Sequence, residues 1–289
     1  MTMLLVQGSY KIIGSEPDGD TIHFVPTDPT VWNKLPACTL PKHNATTGET
    51  RLRLDGIDAL ETHYDRTGPS VAQPLEFAHK AAEELLTFLG FSNVQRTGEK
   101  VTAATPAQTP GFILTQGADK LGRCVALIGA GAPPAADGTQ VQVDVALLRT
   151  TANHHLLSLG LVYPTFYSKL PQDLRTELTT VARQARTNGL GLWPKDVTTA
   201  TGGAVITGMS SLTNDVVILP KLFRRLVDHF NLVEQTLACF PAYLAGKEDN
   251  LKVLPANTPE LTLKPLVQII NGNAIRMTNQ PEDIVYAEG

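Results

Sequence analysis

The chain has 289 residues, 42% hydrophobic and 18% charged, which excludes a wholly disordered protein and supplies enough apolar material for a sizeable core. With 24 basic and 28 acidic residues its formal net charge is −4, so any nucleic-acid binding must depend on a few placed cations rather than on a basic surface. Three scattered cysteines without a CxxC spacing exclude a disulfide scaffold and a zinc ribbon, and the lack of a membrane-length apolar run or a signal-like start predicts a cytoplasmic protein without membrane contact.

Hydrophobic periodicity and the punctuation by glycine and proline divide the first two thirds of the chain into short strands and helices. Residues 51–57 (RLRLDGI) alternate, so that Leu52 and Leu54 face one side of a half-buried strand and Arg53 faces the other. The predicted elements are strands at 10–13 and 21–25, a surface insertion at 26–50, a strand at 51–57, a helix from Pro74 to Gly90, a loop with short strands at 96–119, a strand at 124–128, a helical region at 143–159 and a helix from Pro171 to Gly189.

The composition changes after Trp193-Pro194. Residues 197–214 are almost uncharged, small and polar, which predicts a linker with a boundary near 198–210. We therefore divide the chain into a domain at 1–197 and a small α+β region of unknown function at 198–289. The predicted elements of that region are strands at 216–219, 267–270 and 274–277 and a helix from Pro220. Docking onto the first domain, self-association and binding of a partner protein all stay open for it.

The residues that suggest chemistry lie in three short segments. The first is the turn Asp18-Gly19-Asp20-Thr21, and the second is RLDGIDALET, from Arg53 to Thr62. The third is DKLGR, from Asp119 to Arg123, directly before an apolar strand. Each segment alone is typical of an ordinary turn or a solvated strand face, but their order and spacing together form a specific pattern.

This pattern resembles the staphylococcal nuclease (thermonuclease-like) family, whose motifs are DGDT, R-x-x-x-x-D-x-P-E and D-x-x-G-R. The resemblance runs from about residue 10 to residue 195 and includes GLGLWP, which is similar to the family's NIW-type ending. It implies a five-stranded OB-type β-barrel with packed helices, a fold known for binding oligonucleotides. Leu60 departs from the family's proline, and Leu121 stands where the family often has tyrosine.

The resemblance also implies a role for each matching position. A phosphodiester is anionic, and a guanidinium fork or a metal ion stabilises the charge that in-line attack adds to its oxygens. Two carboxylates and a carbonyl would bind calcium weakly, with a Kd on the order of 10⁻⁴–10⁻³ M. The implied roles are Asp20, Asp58 and the Ala59 carbonyl as Ca²⁺ ligands, Glu61 to orient or deprotonate water, and Arg53 and Arg123 to bind the phosphate.

The sequence therefore predicts an enzyme, a calcium-dependent phosphodiesterase that hydrolyses DNA or RNA and, by resemblance, leaves 3′-phosphate ends. The alternative is a nuclease-like module that binds nucleic acid or serves as a scaffold without turnover. Several side chains stay open between a functional and a structural role. They are Tyr163 and Tyr167 (base stacking or packing), Asp18 and Asp119 (hydrogen bonds to the site or turn closure), and Lys221, Arg224 and Arg225 (phosphate contact or a solvated helix face).

Overall fold

The structure is a mixed α+β fold, seen in a computed structural model that describes residues 1–232 and 236–287. The strands are Thr2–Lys11 (β1), Thr21–Pro26 (β2), Thr50–Leu54 (β3), Ile57–Asp58 (β4), Ser92–Thr97 (β5), Lys100–Thr105 (β6), Gln108–Ala118 (β7), Cys124–Ala130 (β8), Gln140–Gln142 (β9), Tyr163–Pro164 (β10), Phe166–Tyr167 (β11), Ala204–Val205 (β12), Leu251–Val253 (β13), Thr258–Glu260 (β14), Val267–Ile270 (β15), Ala274–Met277 (β16) and Ile284–Tyr286 (β17). The α-helices are Leu75–Phe88 (α1), Val145–Leu148 (α2), Ala152–Ser158 (α3), Gln172–Thr187 (α4), Pro220–Leu232 (α5) and Phe240–Ala245 (α6). Within these described ranges, no helix has the length and apolar character needed to cross a membrane.

Five strands close into a barrel in the first part of the chain. Their order is β2-β3-β8-β7-β1, and a further pairing of β1 with β2 closes the sheet. The β3–β8 pair is parallel and the other neighbours are antiparallel, while β9 extends the sheet beside β1. The predicted α+β class with a five-stranded, OB-like barrel is therefore confirmed at this level.

Residues 96–119 were predicted to form a loop with short strands because they contain several glycines and Pro110. In the structure most of the second half of this range is one long strand, β7. In the barrel, a Cβ at Gly111 would lie 2.4 Å from the Tyr10 ring, and a Cβ at Gly129 would lie 2.2 Å from the Phe112 ring. The two glycines leave the room that these aromatic rings fill across the strands. They are therefore strand residues chosen for close approach and do not interrupt the sheet.

Other predicted elements are confirmed with shifted bounds. The helices from Pro74 and Pro171 are α1 and α4, and the helix from Pro220 is α5. The helical region at 143–159 is broken into α2 and α3, because Asp144 and Thr151 each accept a hydrogen bond at the start of a new helix. The strand predicted at 216–219 is wrong: apart from one bridge at Val217, these buried residues follow a π-helical turn and lead directly into α5.

The C-terminal region is docked onto the first domain through a shared apolar core. Leu60, Tyr163 and Trp193 lie in the same buried cluster as Phe223 of α5 and Phe240 of α6. Each fully buried side chain of this kind contributes roughly 1.5–3 kcal/mol. Of the three arrangements left open by the sequence, the structure shows docking onto the first domain.

Main-chain pairing and an ion pair add to this docking. Strand β11 pairs in parallel with β17, and the fully buried carboxylate of Glu282 accepts two hydrogen bonds from Arg186 of α4 at 2.9 and 2.8 Å. The segment predicted as a linker also packs inward: Thr198, Ala204 and Leu212 are buried, and β12 pairs with β16. The segment is therefore partly built into the C-terminal region, while Thr201, Gly202 and Val205 are exposed.

Candidate functional site

The three sequence segments meet at one charged cleft of about 500 Å³ beside the barrel. Its wall carries seven basic and five acidic side chains, and two further carboxylates beside it, Asp119 and Asp249, pair with three of the basic ones, so the charges at the cleft are nearly balanced. The basic residues are Arg51, Arg53, Arg66, Arg123, Lys221, Arg224 and Arg225, and the acidic residues are Asp18, Asp20, Asp58, Glu61 and Asp65.

The turn before β2 fixes Asp20. Its Oδ1 accepts a hydrogen bond from the Thr21 hydroxyl at 2.9 Å, and its Oδ2 accepts one from the Ala59 main-chain N–H at 3.1 Å. Asp18 Oδ1 in turn accepts from the Asp20 N–H at 3.1 Å, which closes the turn. A Cβ at Gly19 would lie 2.7 Å from the Ala59 Cβ, so the glycine lets the two segments touch.

Asp58 and Glu61 project from the segment that follows β3. Asp58 lies on β4 and pairs in register with Tyr163 of β10, and only 1% of Asp58 is exposed. The Glu61 main chain is held on both sides by Gln73, whose N–H donates to the Glu61 carbonyl at 2.9 Å and whose Oε1 accepts from the Glu61 N–H at 3.3 Å. The fully buried Gln73 amide also donates to the Ile218 carbonyl at 2.8 Å, which ties this segment to the start of α5.

Burial and neighbouring charges perturb the carboxylates of the cleft. Burial raises the pKa of Glu61 to about 7; the charges of Asp58 and Asp20 act in the same direction and Arg224 opposes them. Burial also raises the pKa of Asp18, with Asp20 and Glu61 adding to the effect. For Asp58, burial acts upward, but the charges of Arg224 and Arg53 outweigh it and bring the pKa below its ordinary value.

Arg53 faces the cleft and Arg51 does not share its environment. Arg53 is 7% exposed, and its guanidinium carbon lies 4.9 Å from the centre of the Tyr167 ring. Its Nη2 stands 4.0 Å from Asp58 Oδ1, beyond hydrogen-bond distance. Arg51, two residues away on β3, is exposed at the rim of the cleft, in agreement with its predicted solvated role.

Arg123 is oriented by Asp119. The carboxylate of Asp119 accepts from Arg123 Nε at 2.8 Å and pairs with Nη2 at 2.8 Å, while its Oδ1 accepts the main-chain N–H groups of Leu121 and Arg123. The sequence left Asp119 open between closing a turn and forming hydrogen bonds to the site. In the structure it closes the turn and also orients the Arg123 guanidinium. Leu121 is 60% exposed and lines the cleft.

The two tyrosines predicted to contact substrate lie in different environments. Tyr167 lines the cleft beside Arg53. Tyr163 is fully buried: its ring packs edge-on against Trp193 and its hydroxyl donates to Asp196 at 2.7 Å. The prediction of substrate contact by Tyr163 is therefore corrected, because the ring lies in the core shared with the C-terminal region.

The structure places Arg224 against the carboxylates of the site, whereas the sequence left it open between phosphate contact and a solvated helix face. Its guanidinium forms a fork with Asp58, with Nη2 2.8 Å from Oδ2 and Nη1 3.3 Å from Oδ1, and Nη1 also donates to Glu61. Lys221 and Arg225 stand on the same face of α5, at the spacing of one helical turn, and both pair with the buried Asp249, at 3.5 and 2.7 Å. The spacing of Lys221, Arg224 and Arg225 indicates a shared helix face in the sequence, but it does not indicate which carboxylates these cations contact.

One of the predicted calcium ligands, Asp58, is already paired with a cation in this arrangement. Both oxygens of Asp58 are engaged by the Arg224 fork, and a divalent ion would have to take the same oxygens. Across residues 1–232 and 236–287, no group of three or more His, Cys, Asp or Glu side chains is arranged to hold a metal ion. Calcium binding by Asp20, Asp58 and Ala59 stays a prediction, in which the ion would share or compete for the Asp58 oxygens with the Arg224 guanidinium.

Comparison with known proteins adds no relative. No protein-family model matches the chain, and a search of curated proteins returns no match. The case for a function therefore depends on the chemistry of the cleft itself.

Proposed function

We propose that this protein is a phosphodiesterase that hydrolyses DNA or RNA in the cleft formed by the three sequence segments. The observation that carries the proposal is that Arg53, Arg123 and Glu61 line one cleft of about 500 Å³ although they come from separate parts of the chain. Burial raises the pKa of Glu61 to about 7, and the guanidinium groups of Arg53 and Arg123 line the same cleft; a base of this pKa and two phosphate-binding cations are what attack by water on an anionic ester requires.

In the proposed reaction the water oxygen forms a new bond to phosphorus, and the bond from phosphorus to the 5′ oxygen breaks. One proton of the water passes to Glu61, and the leaving 5′ oxygen takes a proton from solvent, which gives a 3′-phosphate and a 5′-hydroxyl. Arg53 and Arg123 stabilise the charge on the non-bridging oxygens. Asp119 supports this role, because it holds the Arg123 fork in place before substrate arrives.

Two features support nucleic acid as the substrate. Arg53 and Arg123 both present a guanidinium group to the cleft although the chain as a whole is acidic, so two cations that could bind a phosphate are placed at one site. Tyr167 lines the same cleft with the Arg53 guanidinium 4.9 Å from its ring centre, and a base stacked on this pair would contribute about 1–3 kcal/mol. The OB-like barrel agrees with this reading but does not require it.

The alternative is a module that binds nucleic acid without cleaving it. The observation that favours it is the ion pairing of Asp58 and Glu61 with Arg224, which satisfies the carboxylates that catalysis would use. Such a module would bind single strands with the same basic residues, and its affinity would fall with added salt.

The test is cleavage of end-labelled single-stranded DNA and RNA by the wild-type protein and by Glu61→Gln and Arg123→Ala. Arg276→Gln is the matched control, because it removes a positive charge from a partly exposed side chain on β16, which is outside the cleft lining. We expect cleavage with 3′-phosphate ends by wild type and control, and a loss of about 10²–10³ in rate in the other two. Equal turnover by all four proteins would contradict the proposal, and binding without turnover would favour the alternative.

A further inference from the structure

Arg224 occupies the place that the sequence gives to a metal ion. It contacts two of the carboxylates assigned to metal binding and water activation, Asp58 through a fork and Glu61 through Nη1. A guanidinium carries a permanent positive charge and five N–H donors in a plane, so it meets two carboxylates at once and does not titrate. Several cations line the cleft, but Arg224 is the one whose guanidinium contacts both Asp58 and Glu61.

The helix that carries Arg224 is fixed on the side that faces the carboxylates. Asp228, one turn further along α5, accepts hydrogen bonds from Tyr64 and Thr67, each at 2.8 Å, and these residues follow Glu61 in the chain. Gln73 holds the other end through its bond to the Ile218 carbonyl, just before the helix begins. Residues that follow Glu61 in the chain therefore hold α5 by hydrogen bonds on both sides of Arg224.

The opposite face of α5 is part of the core shared by both regions. Leu222, Phe223, Leu226 and Val227 are each 1% exposed or less. Moving Arg224 away from Asp58 by releasing the helix would expose all four side chains. The backbone at Arg224 is therefore fixed, and only a rotation of its own side chain, which is 26% exposed, could separate the guanidinium from Asp58.

We infer that Arg224 is the resident cation of the cleft: it holds Asp58 and Glu61 in place of a divalent ion, so that the site works without calcium. Arg224 is then a positioning residue, which acts through Glu61, while Arg53 and Arg123 contact the phosphate. The structural half of this inference stands on the ion pairs alone. Its catalytic half rests on the proposed function.

Calcium binding tests the structural half without any assay of activity. Calcium would be titrated calorimetrically into the wild-type protein, Arg224→Gln and the control Arg276→Gln. We expect no binding by the wild type and control, and a new site in Arg224→Gln with a Kd on the order of 10⁻⁴–10⁻³ M, because the carboxylates lose their resident charge. Calcium binding by the wild type in that range would overturn the inference, and this arm does not depend on whether a variant folds.

Cleavage in the presence and absence of a chelator tests the catalytic half. We expect wild-type cleavage to be unchanged by chelator, and kcat of Arg224→Gln in chelator to fall about 10²-fold with KM within about twofold. Added calcium should restore part of that loss in Arg224→Gln, which a merely structural role would not produce. Abolition of wild-type cleavage by chelator, or faster cleavage by Arg224→Gln than by wild type, would overturn the inference.

The two failures are distinguishable. If no protein cleaves any substrate, the proposed function fails while the calcium titration still decides whether Arg224 holds the place of the ion. If cleavage occurs but requires calcium, the proposed function stands and the role of Arg224 is refuted. Circular dichroism spectra and melting temperatures of Arg224→Gln and Arg276→Gln would show that both variants are folded before either comparison is made.

Discussion

Replacing Glu282 by glutamine tests how the C-terminal region is held against α4. The Glu282 side chain is fully buried and accepts hydrogen bonds from Arg186 at 2.9 and 2.8 Å. Removing one member of a buried ion pair costs about 3–5 kcal/mol when the remaining charge is stranded. Here the Arg186 side chain is 26% exposed and its guanidinium carbon lies 4.2 Å from the centre of the Trp193 ring, so water and the ring still stabilise it. Because glutamine also keeps one acceptor oxygen, we expect a loss of about 1–3 kcal/mol in the free energy of unfolding at pH 7.

The loss in the free energy of unfolding of Glu282→Gln should depend on pH, in a direction that follows from the pKa of Glu282. Burial acts to raise the pKa of Glu282, but the hydrogen bonds and charge of Arg186 outweigh it and bring the folded-state pKa below the ordinary value. The carboxylate therefore contributes stability above its unfolded pKa of about 4.3, and this contribution is lost as the pH falls through the lower folded-state pKa. The difference between wild type and variant should narrow below pH 4.3 and then close.

Urea unfolding followed by tryptophan fluorescence measures both effects, since Trp193 stands beside the ion pair. Glu76→Gln is the matched control, because Glu76 pairs with Lys80 on the exposed face of α1, where the two side chains are 69% and 53% exposed. That control should leave the unfolding curve unchanged at every pH. A Glu282→Gln protein as stable as wild type at pH 7, or a deficit that does not change between neutral and acid pH, would refute the reasoning.

Three further outcomes are expected. Arg53→Lys should lower the single-turnover cleavage rate by about 10²–10³, because lysine keeps the charge but loses the fork; an unchanged rate would contradict the phosphate contact. N-ethylmaleimide, read by mass spectrometry, should modify the exposed Cys38 and Cys239 in the native protein but not Cys124, since burial raises the pKa of that thiol to about 12. Gln73→Met should lower the free energy of unfolding, measured in urea, by about 2–4 kcal/mol, because the Glu61 N–H and the Ile218 carbonyl lose their hydrogen bonds. A change below about 0.5 kcal/mol would count against that role of Gln73.

The parts of the site that follow local rules could be predicted from the sequence. The alternation of residues 51–57 predicts a strand with Leu52 and Arg53 on opposite faces; both residues lie on β3, which ends at Leu54, and both are buried. Glycine and proline positions gave the starts of α1 and α4 for the same local reason. The same residue types misled at β7, because Gly111 serves a contact with Tyr10, which lies on a strand about a hundred residues earlier in the chain.

The contacts that complete the site are long-range and leave no local trace. Arg224 meets Asp58 across 166 residues of sequence, and Gln73 reaches Ile218 across 145. A helical face with several cations is usually solvated, and only the fold places this one against two carboxylates. Gln73 has no charge and no motif around it, so its role between Glu61 and α5 could be found only from the hydrogen bonds.

Leu60 and Arg224 account for each other. Leu60 stands where the nuclease family that the sequence resembles has a rigid proline, next to the predicted metal ligands. In the structure its side chain is fully buried in the same apolar cluster as Phe223, the residue before Arg224. An apolar side chain at this position thus helps to dock α5, and α5 in turn supplies the guanidinium that holds Asp58 and Glu61. The residue that departs from the sequence motif is therefore part of the packing that brings Arg224 to the two carboxylates.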